Sequence, residues 1–154
     1  MKITRTNAGN PDFNNLVKDL DAYLKITDED EHDFYNQFNS IDSLQEVVVI
    51  YISNSIGASP VAIGCGAMKK MDSTSVELKR MYVVPQYRGK GVAQKILKEL
   101  EIWAVELGYK KSVLETGKRQ VEAVKFYHNC GYTVIENYGQ YKGMTNSICF
   151  EKIV

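Results

Sequence analysis

The sequence predicts one α/β (α+β) domain spanning residues 1–154. Three observations predict it. Apolar residues repeat at helical spacing in some stretches and read as β-branched, strand-like runs in others, so both kinds of element are present. The strand-like runs between residues 46 and 84 follow one another through short turns, as in a meander. Finally, Gln86-Tyr87-Arg88-Gly89-Lys90-Gly91 joins an apolar run to a long amphipathic stretch, which marks a glycine-rich turn from strand to helix.

Taken in order, Lys2–Thr6 reads as a short first strand. Over residues 10–26, Phe13, Leu16, Val17, Leu20, Tyr23 and Leu24 share one helical face. An acidic segment, residues 28–33, precedes Phe34, Tyr35 and Phe38, which suggest a short helix or ordered loop. Residues 46–53 are β-branched and strand-like, 54–60 form a turn, and Val61–Lys70 is a second strand with glycines at 64 and 66. A hairpin at 71–73 leads to a third strand, 75–84. The period then changes. Apolar residues at 92, 96, 97, 100, 103, 104 and 107 mark one face of a helix of about five turns, stopped by Gly108. A short strand at 111–115 and a helix at 120–130, stopped by Gly131, follow. Two last strands, 132–136 and Ser147–Ile153, flank a Gly/Tyr-rich loop. The chain has no internal repeat, linker or low-complexity segment.

Composition limits the function. At 44% hydrophobic and 25% charged residues, with no apolar run long enough to cross a membrane, the chain reads as a soluble globular protein. Met1-Lys2-Ile3-Thr4-Arg5 leads into polar sequence, so no secretory leader is expected and the location is expected to be cytoplasmic. Cys65, Cys130 and Cys149 are odd in number and lack C-x-x-C spacing, so they read as reduced, mostly buried thiols. A formal net charge of zero argues against nucleic acid as a partner. The charge is unevenly spread: residues 1–46 hold ten acidic and four basic side chains, residues 47–154 nine acidic and fifteen basic. This is either two solvated faces of opposite sign or an anion-binding part beside one that attracts a cationic acceptor.

A glycine-rich turn at a helix start presents free backbone N–H groups and the positive end of the helix dipole, which together bind phosphate. The segment 86–91 lacks the G-x-x-x-x-G-K-[ST] spacing of a P-loop, and no hydroxyl residue is placed to hold magnesium. It also lacks G-x-G-x-x-G and the acidic residue expected about twenty positions later in a dinucleotide site. The carboxylates show no metal-ligand pattern, no Cys/His pair supports a thiol nucleophile, and a nucleotide-phosphate hydrolase is therefore excluded.

The stretch Glu77-Leu-Lys-Arg-Met-Tyr-Val-Val-Pro-Gln-Tyr-Arg-Gly-Lys-Gly91 resembles the acetyl-CoA signature of the GNAT N-acetyltransferase superfamily, Q/R-x-x-G-x-G/A after a strand. A second block, Gln120-Val-Glu-Ala123-Val-Lys-Phe-Tyr127-His-Asn-Cys-Gly131-Tyr132, resembles the superfamily's N-x-x-A-x-x-x-Y-x-x-x-G-[FY] helix, with Gln120 where Asn is usual. The resemblance implies a mixed, mostly antiparallel central sheet of about seven strands flanked by helices. The strands at 75–84 and 111–116 would splay apart to admit the cofactor. Backbone N–H groups of Arg88, Gly89, Lys90, Gly91, Val92 and Ala93 would cradle the CoA pyrophosphate, with Gln120 as a polar contact. Met81, Tyr82, Val83 and Val84 would pair through their main chain with the pantetheine arm. Side chains at Gly89 or Gly91 would hold the backbone away from the phosphates.

Acetyl transfer to an amine needs a neutral amine, a stabilised oxyanion and a protonated leaving thiolate. An alkylamine with a pKa of about 10.4 is almost wholly protonated at neutral pH, so a base must take its proton, directly or through water. The resemblance gives Tyr127 as the acid for the CoA thiolate, Glu77 as the base with Glu115 as its rival, and backbone N–H near Val83 as the oxyanion donor. His128 reads as a surface or packing residue, and His32 as an acceptor contact at most. Phe34, Tyr35, Tyr138 and Tyr141 would wall a pocket for a small, cationic amine, or else fill gaps in the core. The function expected is an acetyl-CoA-dependent N-acetyltransferase acting on a small primary amine in a ternary complex, without a metal. The alternatives are a non-catalytic acyl-CoA-binding or regulatory module and a transferase for protein N-termini or lysines. A homodimer is compatible with the resemblance, though nothing in the sequence locates an interface.

Overall fold

In a computed structural model the residues described are 1–28, 31 and 40–154, with Asp28 described by its backbone only. The expected short helix or loop around Phe34, Tyr35 and Phe38, and His32 with it, lie outside them. Among the described residues seven strands form one sheet: β1 (Lys2–Thr6), β2 (Glu46–Ile52), β3 (Val61–Lys70), β4 (Ser75–Val83), β5 (Lys111–Gly117), β6 (Thr133–Ile135) and β7 (Ser147–Ile153). Their order across the sheet is β1-β2-β3-β4-β5-β7-β6. Every neighbouring pair is antiparallel except β4 and β5, which are parallel. The mostly antiparallel sheet of seven strands is the one expected.

Helix α1 (Pro11–Asp28) covers one face, while α2 (Val92–Glu106) and α3 (Val121–Asn129) cover the other. The start of α1 is local chemistry. Asn10 Oδ1 accepts from the amides of Asp12 (2.8 Å) and Phe13 (3.1 Å), and Pro11 takes the first helical position, where no amide is needed. Burial on both faces explains why Val47, Val48, Val49 and Ile50 run apolar without alternation, all at 0% exposure. Val47 and Val49 join Phe13, Leu16 and Val17 beneath α1, while Val48 and Ile50 join Val92, Ile96 and Leu100 beneath α2.

The feature that shapes the site is a bulge in β4. Cys65 pairs with Tyr82 and Ala67 with Lys79, so two residues, Arg80 and Met81, oppose the single Gly66. Arg80 has φ 59°, and it is the one non-glycine at positive φ among the described residues. The opposing glycine is a packing requirement. A Cβ on Gly66 would lie 2.4 Å from Met81 Sδ and 2.8 Å from Ile96 Cγ2. Beyond the bulge β4 leaves its parallel neighbour: β4 and β5 pair only at Ser75–Lys111, Val76–Ser112 and Glu77–Val113. Strand β5 continues to Gly117 against β7 alone.

Candidate active site

The parting of β4 and β5 opens a cleft of ≈ 120 Å³ through the sheet. Leu78, Lys79, Arg80 and Met81 line one side, and Leu114, Glu115, Thr116 and Gly117 the other. Tyr127 closes it on the α2/α3 face; Leu20, Leu24 and Tyr141 close it on the α1 face. Strand alternation decides which side chains go where. Val76 and Leu78 belong to the core beneath α2, which sends Glu77 to the α1 face; Leu114 does the same for Glu115.

Tyr127 is buried, with ring centroids 5.7 Å from Tyr132 and 6.0 Å from Phe150 in tilted and edge contacts. It both packs α3 on the sheet and lines the cleft. Burial raises its phenol pKa, with the nearby Cys130 thiol adding to the effect, so the hydroxyl stays protonated well past neutral pH. Gln120 caps α3 at the cleft edge, its amide bonded to the Gly117 carbonyl at 3.0 Å.

Glu77 is 2% exposed. Its Oε2 accepts from the Tyr138 hydroxyl at 2.7 Å, and Oε1 lies 3.5 Å from Lys79 Nζ. Burial, with the Glu77 charge next, raises the Tyr138 pKa. Tyr141, 5.8 Å from Tyr138 between ring centroids, is raised by burial and then by Glu115 and Glu77. Of the four aromatics expected at a pocket wall, Tyr141 lines the cleft and Tyr138 packs against it, while Phe34 and Tyr35 lie outside the described residues. Burial lowers the Lys79 pKa, partly offset by the Glu77 charge. Arg80 is buried too and pairs with Asp21 of α1. Lys79 thus answers Glu77 and Glu115, and Arg80 answers Asp21; both cations line the cleft, so charge within it does not single out a cationic acceptor.

The glycine-rich turn lies where β4 runs into α2. Pro85–Tyr87 forms one turn of 3₁₀ helix, and Gly89 and Gly91 adopt φ 75° and 80°. That left-handed backbone costs a non-glycine residue about 1–2 kcal/mol. Gly91 caps α2, whose first turn carries no acidic residue, so its opening amides point outward with the dipole uncompensated. Arg88 is already engaged. Its amide bonds to the Pro85 carbonyl at 3.2 Å, its Nε donates to the Val83 carbonyl at 2.8 Å, and its guanidinium lies over the Tyr82 ring. Of the amides expected to face a phosphate, that of Arg88 is therefore already bonded within the chain. Lys90 is exposed, its Nζ 5.5 Å from the Tyr87 ring centre.

The Val84 amide donates to Ile63 O of β3 at 2.9 Å. Since main-chain groups alternate sides along a strand, those of Val83 face the opened gap, and those of Tyr82 face β3. Val83 and Val92 pack in the core beneath α2, with Ala93 half-buried against it. His128 is exposed, its ring edge-on to Phe150 at 5.1 Å. Cys65 and Cys149 are buried and Cys130 partly so, none disulfide-bonded. Burial pushes the Cys65 thiol up to about 12 and that of Cys149 to about 11, which makes both poor nucleophiles. Among the described residues no cluster could hold a metal ion, and no helix is long and apolar enough to cross a membrane.

Residues 13–132 match the Acetyltransferase (GNAT) family. The chain belongs to the GNAT acetyltransferase family. An uncharacterized N-acetyltransferase of Bacillus subtilis, YsnE, is 33% identical over 91 residues, 58% of this GNAT chain and 60% of that protein. The chain thus spans less than two thirds of that relative's length. A Klebsiella pneumoniae protein described as an acyl-CoA N-acyltransferase superposes with TM-score 0.79 at 25% identity, over 99% of this chain and 96% of the other. A GNAT family acetyltransferase of Elizabethkingia anophelis, solved with acetyl-CoA bound, gives TM-score 0.69 at 19% identity over 99% and 97%. Its likeness establishes the fold that the GNAT chain shares with it.

Lys79, Arg80 and the Tyr138–Glu77 hydrogen bond are the site features that sequence reasoning missed. A signal existed for two of them. Two adjacent basic residues inside a central strand that also carries Leu78, Met81 and Val83 are buried cations, and buried cations need partners.

Proposed function

We propose that this protein is an N-acetyltransferase that uses acetyl-CoA to acetylate a primary amine of a small molecule, by direct attack in a ternary complex. One observation carries the reading: the cleft opened between β4 and β5 has Tyr127 on one face and Glu77 on the other, with the turn at the helix start lying where β4 ends. The residues present suit this donor. The amides of Gly89, Lys90, Gly91, Val92 and Ala93 would hold the pyrophosphate, and the main chain of Met81 and Val83, facing the gap, would hold the pantetheine arm. Acetyl-CoA supplies an activated acetyl thioester; the remaining chemistry is the protein's own. Tyr127, kept neutral by burial, is suited to give a proton to the leaving thiolate. Glu77 would take the acceptor's proton, with Glu115 as the second carboxylate at the same cleft. The Val83 N–H, on the gap side of β4, would donate to the oxyanion.

A narrow cleft walled by Tyr141, Leu20 and Leu24 favours a small amine over a folded protein surface. The test is thiol release from acetyl-CoA across a panel of small amines and peptides, with binding of acetyl-CoA measured separately by calorimetry. Turnover with a small amine supports the reading. Tight binding without turnover on any amine makes the protein a binding module instead, and no binding removes the donor assignment.

A further inference from the structure

The acceptor end of the cleft already contains an amine. Lys79 is 9% exposed, although a lysine with a free path to solvent extends its ammonium outward. Its Nζ lies 3.5 Å from Oε1 of Glu77, the carboxylate assigned above as base. It lines the same ≈ 120 Å³ cavity as Met81 and Tyr127, so the amine, the base, the gap-facing strand and the acid share one small space. We propose that Lys79 is an acetyl acceptor within its own protein, modified by the thioester donor when no external amine occupies the cleft. The inference rests on the functional reading above, because it needs the donor bound in the same cleft.

The cleft lining supplies an amine, a carboxylate and a phenol for the reaction. Desolvation lowers the Lys79 pKa, the Lys69 charge acts in the same direction, and Glu77 and Glu115 oppose both. Each unit by which an amine's pKa falls raises its neutral, nucleophilic fraction at neutral pH about tenfold. In the step, the Lys79 ammonium gives up one proton to the Glu77 carboxylate, which passes it to solvent; the freed lone pair attacks the thioester carbonyl carbon, and Glu77 then takes a second proton from the nitrogen. The C–N bond forms, the C–S bond breaks, and its electron pair leaves on sulfur, which takes a proton from the Tyr127 hydroxyl. Proton return from solvent restores Tyr127, and loss to solvent restores Glu77. The products are Nε-acetyl-Lys79 and free CoA thiol. Acetylation removes the Lys79 charge, ends its ion pair with Glu77 and adds bulk where an external amine would sit, so the modified protein is expected to lose turnover.

Full-chain protein incubated with acetyl-CoA and no amine provides the test, read by intact mass and by peptide mapping, with acetyl-CoA binding measured on the same preparation. The expected result is one acetyl group on Lys79, acquired at least about tenfold faster than on Lys98, an exposed lysine of α2. The adduct is lost in Lys79→Arg, formed more slowly in Tyr127→Phe, and not favoured over Lys98 in protein unfolded by urea. Protein that binds acetyl-CoA yet leaves Lys79 unmodified, or modifies it no faster than Lys98, overturns the proposal and leaves Lys79 as a counter-ion to Glu77. Protein that does not bind acetyl-CoA overturns the functional reading itself, and the proposal with it.

Discussion

The two ends of the cleft are built on different principles. The end proposed for the donor, from Met81 at the cleft through the turn to Ala93, is mostly backbone: a bulge, two glycines at positive φ and the opening amides of α2. Its parts lie within about a dozen consecutive residues. The end proposed for the acceptor is made of side chains brought from distant segments, as in the bond between Tyr138 and Glu77, 61 residues apart. It is buried and holds the Lys79–Glu77 ion pair, so it depends on mutual satisfaction of its polar groups rather than on local conformation. A backbone site can recur across proteins with unrelated side chains, whereas a side-chain site is particular to one chain. The difference suits a shared donor and an individual acceptor.

The largest expected effect tests whether the acid belongs to the donor end. Tyr127→Phe should lower kcat about a hundredfold or more with little change in the Kd for acetyl-CoA. Unchanged kcat in steady-state assays would remove the acid role and leave Tyr127 as packing alone. Gly66→Ala comes next. It pushes a Cβ into Met81 and Ile96 at the bulge, and should cost about 1–3 kcal/mol in urea unfolding. Adding Met81→Ala should recover part of that loss; no recovery would mean that the bulge is not held by this contact.

At the other end, Tyr138→Phe removes a hydrogen bond to a buried carboxylate. It should cost about 1–2 kcal/mol of stability while leaving acetyl-CoA affinity, measured by calorimetry, as it was. Weakened donor binding would show that the two ends are coupled. The smallest effect is electrostatic. Glu77→Gln removes the second-largest cause of the raised Tyr138 pKa, so Tyr138 should titrate nearer the ordinary phenol value of 10.0 but still above it, because burial remains. Tyr127, raised by burial, should not move. For a group with a raised folded-state pKa, the stability it contributes is complete below the unfolded value and is lost as pH rises through the folded one. Once pH passes the variant's own Tyr138 pKa, the Glu77→Gln variant should therefore stop losing stability on this account while the parent goes on losing it, read from urea midpoints across pH. Equal losses would show that the Glu77 charge does not reach Tyr138.

Much of the fold was legible because its signals are local. The helical spacing from Phe13 to Leu24 and from Val92 to Leu107, and the β-branched run at Val47–Ile50, report burial in the order of the residues themselves. Boundaries moved by a few residues only, as at β5, which runs to Gly117 rather than Glu115 because β7 pairs with it that far. The engagement of Arg88 was not legible. Nothing near it in sequence says that its Nε folds back to the Val83 carbonyl, which follows from the 3₁₀ turn between them.

The sequence by itself determined the elements, their order and the glycine-rich turn, because periodicity, capping and positive-φ requirements act over a few bonds along the chain. Only the tertiary structure decided what stands at the acceptor end. The bulge at Arg80 and Met81, the parting of β4 from β5, and the grouping of Glu77, Lys79, Glu115, Tyr138 and Tyr141 arise from strand register and packing. Those interactions join residues far apart in the chain, and their strength is set by a burial that no single segment creates.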